Sequence, residues 1–175
     1  MKKTIFLLSV LLMPFPALMA QTIDTNASVV TFKITGGGFF KVNGDFTGMQ
    51  GDFNFDENDL ENSSFNICID ATTIDTNNEK RDNHLKSDDF FNVEKYPEIC
   101  FKSTNITTKD NHYATTGELT MYGITKTVEI PFTFSNNTFK GTFQVIRLDY
   151  NIGEDFGSFR VGHEAEVSIN CVVKQ

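Results

Sequence analysis

Apolar residues fall at every second position along most of the chain. Val30, Phe32 and Ile34 alternate with Thr31 and Lys33, and Phe53 and Phe55 with Asp52 and Asn54. Phe65, Ile67 and Ile69 alternate with Asn66, Cys68 and Asp70. The same rhythm returns at Ile99–Phe101, Leu119–Met121 and Val128–Phe134. Phe139, Phe143 and Val145 share one parity, as do Val167, Ile169, Cys171 and Val173. Successive side chains of a strand point to opposite faces, so this rhythm predicts about eight strands, each with one apolar face. Turn formers separate them: Gly36-Gly37-Gly38, Asp56-Glu57-Asn58-Asp59, Lys109-Asp110-Asn111, Tyr122-Gly123 and Ser135-Asn136-Asn137. Connections this short imply hairpins and an antiparallel sheet. Such a sheet must hide its apolar side. Closure into a barrel does this and removes exposed edges; a two-sheet sandwich satisfies the same pattern.

The segment Asp75–Tyr96 breaks the alternation. Thr76-Asn77-Asn78-Glu79 has capping-box spacing, Ser87 is placed to cap a second turn of helix, and Tyr96-Pro97 ends it. Two short helices are expected, inserted between strands and lying across one end of a barrel.

The first residues change the picture of where the chain works. Met1-Lys2-Lys3 is basic, Thr4 to Met19 is uncharged and apolar, and Ala20 supplies a small residue. These are the parts of a secretory signal peptide, so residues 1–20 are expected to be removed after Ala20, leaving one domain over 21–175 in the periplasm or outside the cell. Pro14 and Pro16 interrupt the apolar run, which is shorter than the roughly 20 residues of a spanning helix. No Cys follows it directly, so no lipoprotein anchor is expected there.

Charge and composition narrow the function. The formal net charge is −8, and removal of Lys2 and Lys3 makes it more negative. An acidic surface repels phosphate backbones, which argues against nucleic acid as a partner. The chain holds 18 Phe and no Trp, an interior with bulk and no polar atoms. Of the three cysteines, Cys68 and Cys100 lie on the polar parity of strands flanking the insertion. They form a cross-strand disulfide if adjacent and in register. Cys171 has apolar parity and reads as a buried free thiol.

Within the insertion a longer pattern emerges. Ile74-Asp75-Thr76, Arg81-Asp82-Asn83-His84-Leu85-Lys86-Ser87-Asp88-Asp89-Phe90-Phe91, Lys95-Tyr96-Pro97 and Phe101-Lys102-Ser103-Thr104 resemble the signature of the YceI-like family. Gly117-Glu118-Leu119-Thr120-Met121-Tyr122-Gly123-Ile124-Thr125-Lys126 is similar to its "G-x-L-T-x-x-G-x-T" stretch. Arg147-Leu148-Asp149-Tyr150 is similar to its "R-x-D-aromatic" element, and Ile23-Asp24 with Phe32 to its opening strand. The resemblance spans essentially residues 21–175. It implies an eight-stranded, lipocalin-like barrel, export to the periplasm, and an elongated apolar cavity that binds polyisoprenoid lipids such as quinone or prenyl tails. One departure stands out: the family often carries His-x-Gly after its first strand, where this chain has Thr35-Gly36-Gly37-Gly38-Phe39-Phe40.

The candidate lipid-binding wall is the shared apolar parity: Phe32, Ile34, Phe53, Phe55, Phe101, Leu119, Met121, Phe132, Phe134, Phe143 and Val145, with Phe90 from the insertion. Burying a methylene is worth roughly 0.8 kcal/mol, so ten sequestered carbons offer about 8 kcal/mol, or roughly micromolar binding, before ordering costs. The competing reading of these residues is a filled core. Asp75, Arg81, Asp82 and His84 gather carboxylates, a cation and an imidazole in a short stretch. General acid–base catalysis uses such groups, but the sequence adds no activated nucleophile, phosphate loop or metal spacing. A structural cap, with Arg81 and Asp82 in charge-assisted hydrogen bonds tying the insertion to strand ends, is the preferred reading. His84, His112 and His163 are too scattered to suggest a metal site. Arg147 and Asp149 are placed for an ion pair at a strand end or for a polar head group.

Three functions follow. The first is a non-enzymatic exported carrier of one isoprenoid lipid, with no other cofactor, drawing that lipid from a membrane by transient contact. The second is an enzyme acting on such a lipid through Asp75, Asp82 and His84. The third is a solid-core, stress-related exported protein.

Overall fold

A computed structural model describes residues 21–174; the expected signal peptide, residues 1–20, lies outside them. The described chain folds as one curled antiparallel sheet. Its strands are β1 (Thr22–Ile23), β2 (Val29–Gly36), β3 (Phe40–Phe46), β4 (Gln50–Asn54), β5 (Ser64–Asp70), β6 (Glu98–Lys109), β7 (His112–Met121), β8 (Ile124–Ser135), β9 (Thr138–Ile146) and β10 (Val161–Lys174). One α-helix, α1 (Glu79–Lys86), lies in the β5–β6 connection, after a short 3-10 turn at Ala71–Thr73.

The hydrogen-bonded order is β3-β2-β10-β9-β8-β7-β6-β5-β4, with β1 added to β10. Every neighbouring pair is antiparallel, so β3 and β4, at the two edges, run in the same sense. They are also nearly continuous in the chain. A single run, Phe40 to Asn54, therefore pairs with β2 in its first half and with β5 in its second. The edge-to-edge seam this leaves is bridged by backbone bonds from Asp70 N–H to Thr47 C=O and in both directions between Asp45 and Asp75. The expected eight strands are thus ten, the additions being the short β1 and β3, whose alternation Gly44 obscures.

Strand direction sorts the connections into two ends. The base carries the Asp110–Asn111 and Asn136–Asn137 turns and the 55–63 loop. The cap end carries the 37–39 turn, the Tyr122–Gly123 turn, the 71–97 insertion and the 147–160 connection. Asp110, Asn136 and Asn137, at positive φ in the base turns, meet the left-handed backbone those tight turns need.

Only one of the two expected helices forms. Asn78, not Thr76, caps α1 and accepts from Arg81 N–H. Thr76 is buried instead, where its hydroxyl serves the cap described below. Residues 87–96 form successive turns, with Phe90 N–H and Asn92 N–H both donating to Ser87 C=O. Phe90 and Phe91 turn inward there rather than onto one helix face.

Candidate functional site: an apolar cavity closed at its base

The interior is hollow. A cavity of about 250 Å³, lined from Phe65 and Phe139 toward the base to Ile34 and Val161 at the cap end, occupies the barrel; its volume is just below the roughly 300–1,000 Å³ usual for ligand pockets. Phe32, Ile34, Phe101, Phe143 and Val167 point inward yet stay only partly buried, as side chains facing empty space do. The same residues in a filled core would be sealed on every side.

Ten of the twelve residues expected on the wall line this cavity: Phe32 and Ile34 from β2, Phe53 from β4, Phe90 from the insertion, Phe101 from β6, Leu119 and Met121 from β7, Phe132 from β8, and Phe143 and Val145 from β9. Phe55 and Phe134 do not. Their parity is inward, but they sit too far toward the base. Phe55 follows the last paired residue of β4, Asn54, and Phe134 is the second residue from the β8–β9 turn. The Phe55 ring lies 5.1–6.0 Å from those of Phe65, Tyr113, Phe132, Phe134 and Phe139, mostly edge to face, the geometry aromatic quadrupoles prefer. This cluster stoppers the base.

The sequence reading missed Phe46 and Met49, which enter the wall from the unrecognised β3 and its exit, and Leu85 and Phe91 from the insertion. It also missed Ile152, from a connection without alternation. Phe65, Ile67, Ile69, Ile99, Phe139 and Ile169 also line the wall and were recognisable by the parity of their strands.

Polar character in the wall is confined to groups that are already satisfied. Thr115 Oγ1 donates to Asn105 C=O at 3.2 Å. Arg147, 4% exposed, gives all five of its N–H groups to backbone carbonyls: Gly162, Ile152, Gly153, Phe156 and Val161, at 2.5–3.1 Å. It forms no ion pair with Asp149. Burial lowers its pKa from the usual arginine value, while the ring of carbonyls holds the cation in place. Cys171 lines the wall as a free thiol; burial pushes its pKa up to about 11, so it stays neutral. A wall of this kind gains from excluding water from carbon.

Asp75, Arg81, Asp82 and His84 all serve the cap, though not by pairing with strand ends. Their hub is Thr76. Its N–H donates to Asp82 Oδ1 at 2.9 Å and its hydroxyl donates to the same oxygen. Arg81 donates from Nε to Thr76 Oγ1 and from Nη2 to Thr76 C=O, both at 2.7 Å. Asp75 Oδ1 accepts from Asn77 N–H at 2.7 Å, while the Asp75 backbone bridges to β3. His84 Nε2 lies 2.8 Å from Asp89 Oδ2 and its ring packs edge-on to Phe90 and Phe156. Arg81 and Asp82 thus meet on Thr76, while Asp75 and His84 are engaged elsewhere.

Cys68 and Cys100 stand directly opposite in the β5–β6 register and form a disulfide. Glu98 lies beside them, but bonded sulfurs are not available to a metal.

The model of the YceI-like domain matches residues 21–173. The chain belongs to the YceI-like family. A UPF0312 protein of Vibrio parahaemolyticus is 35% identical over 87% of this chain and 89% of its own length. The protein YceI of Escherichia coli is 33% identical over 73% and 72%. Among solved structures, BcnA of Burkholderia cenocepacia superposes with a TM-score of 0.79 at 25% identity, covering 87% of this chain and 99% of its own. A polyisoprenoid-binding domain from Saccharophagus degradans gives 0.66 at 12% identity, covering 89% and 98%; at that identity the likeness concerns the fold.

Proposed function

We propose that this YceI-like protein is an exported, non-enzymatic carrier or sequestering protein that holds the isoprenoid tail of a lipid, such as a quinone or prenyl carrier, inside its barrel. The observation that carries the reading is the cavity, walled almost wholly by carbon and stoppered by aromatic rings at the base. A guest for such a space is long, flexible and apolar, and it is selected by length and girth. The polyisoprenoid-binding description of the Saccharophagus degradans domain supports the same ligand class. The basic, apolar and small-residue order of residues 1–20 supports export with cleavage near Ala20. The Cys68–Cys100 disulfide is consistent with an oxidising compartment. The wall residues named above are the proposed contacts.

Organic extraction of the purified protein followed by mass spectrometry tests this reading. An isoprenoid lipid in stoichiometric amount is expected. Preparations that repeatedly yield none, and that fail to take up a quinone with a long isoprenoid tail when it is offered, would overturn it.

A further inference from the structure

We propose that the cap end docks on the surface of a lipid bilayer through the rings of Phe39, Phe40 and Phe159; the proposal rests on the carrier reading only for what is collected there. Phe39 is 87% exposed, Phe40 74%, Phe159 70% and Ile146 44%. These are the exposed large hydrophobic residues among the described ones, and all four lie at the cap end. Single exposed apolar residues are ordinary, but a cluster marks an interaction site.

The three rings form one patch because the backbone joins them. Gly37 N–H donates to Arg160 C=O at 3.0 Å, fastening the β2–β3 turn to the 147–160 connection. Gly38 has φ +77° and lies against the Phe159 ring, where a Cβ would come within 2.7 Å of ring carbon. Glycine meets both demands, the left-handed backbone and the close approach. The patch adjoins the cavity. Ile34 and Val161 line the wall, two residues before Gly36 and one after Arg160.

The chemistry fits a bilayer better than a protein. Three rings at the tips of turns offer far less than the roughly 800 Å² per partner of a stable protein interface, whereas a bilayer imposes no matching shape. Lys41 and Arg160, both exposed, flank the rings. Aromatic rings at headgroup depth, with long cationic side chains reaching for the phosphates, are the usual furniture of an interfacial anchor. The net charge of −8 opposes long-range attraction to anionic lipid, so ring insertion drives the contact, which is weak, reversible and little affected by salt.

The test is flotation of the purified protein with vesicles of phosphatidylethanolamine and phosphatidylglycerol, wild type beside F39S/F40S/F159S, with melting temperature and molar mass in solution recorded for both. Wild type is expected to float, and the triple variant to lose at least about tenfold in bound fraction at an unchanged melting temperature. Uptake of lipid from vesicles should slow in the variant, while uptake from detergent dispersion should not. Failure of wild type to float, or equal flotation of the variant, overturns the proposal. So does a wild-type dimer that the triple variant abolishes, because the rings would then face a second copy. Lipid-free extracts combined with normal flotation would sink the carrier reading and leave the docking surface standing.

Discussion

Arg147 and Tyr150 sit three residues apart with opposite fates. Arg147 has a carbonyl for every N–H and so folds the irregular 147–160 connection around itself. Tyr150 is 2% exposed, and its hydroxyl lacks a protein partner among the described residues. Burial first, and Asp149 second, push its pKa up to about 12. A buried hydroxyl without a partner costs roughly 1–3 kcal/mol. Tyr150→Phe is therefore expected to hold stability or raise it by about 1 kcal/mol in denaturant unfolding at pH 7; a loss of more than about 1 kcal/mol would show a partner for the hydroxyl. The pH dependence follows from the direction of the shift. The folded pKa lies above the usual value, so the stability linked to neutral Tyr150 is complete below about pH 10 and is lost as pH rises toward 12. The Phe variant should not share that loss.

At the scale of the element, alternation made most strands legible. Period two is read directly from side-chain chemistry, and the sheet enforces it by burying one face. Legibility failed where tertiary context outweighs local pattern. Gly44 hid β3 because its missing side chain leaves room for the Phe32 ring, which a Cβ would approach to 2.5 Å. The capping motif at Thr76 failed because Asn78 took the cap, while Thr76 is the cap's buried hub. Phe55 and Phe134 show a subtler limit. Parity reports the face a residue points to, not how far along the barrel it sits. The disulfide is an intermediate case: parity and flanking position made Cys68 and Cys100 candidates, and the β5–β6 register supplies the adjacency that the pairing required. It ties β5 to β6 across a separation of 32 residues, enclosing the whole cap insertion. C68S/C100S is expected to lose about 3–4 kcal/mol in denaturant unfolding, the loop-closure figure for that length. A loss below about 1 kcal/mol would mean that the cap's hydrogen bonds already restrain the connection in the unfolded chain.

At the scale of the molecule, the undecided question was whether the phenylalanines fill the barrel or line it. Composition cannot answer it, because the same rings serve both ends. The division is positional: rings near the base stack into a plug, and rings along the wall leave a void. A void lowers the stability of the empty protein, since its walls lack neighbours. Ala165 lines the cavity and offers a place to fill it. Ala165→Phe is expected to keep or raise the melting temperature of lipid-free protein while cutting bound lipid several-fold, read by extraction and mass spectrometry. Retention of a full complement of lipid would place the guest elsewhere. Wild type should gain about 2.7 kcal/mol of stability at ligand a hundredfold above its dissociation constant, and A165F much less.

The lacing of the wall is uneven along its length. β8 and β9 pair only from Phe132 to Ser135 against Thr138 to Gly141, stopping where Pro131 has no amide to give. The β3–β4 seam is likewise held by a few bridging bonds rather than a ladder. Both interruptions lie away from the aromatic plug. The lacing is thus fullest beside the aromatic plug and thinnest toward the cap end, which is where local opening of the sheet costs least.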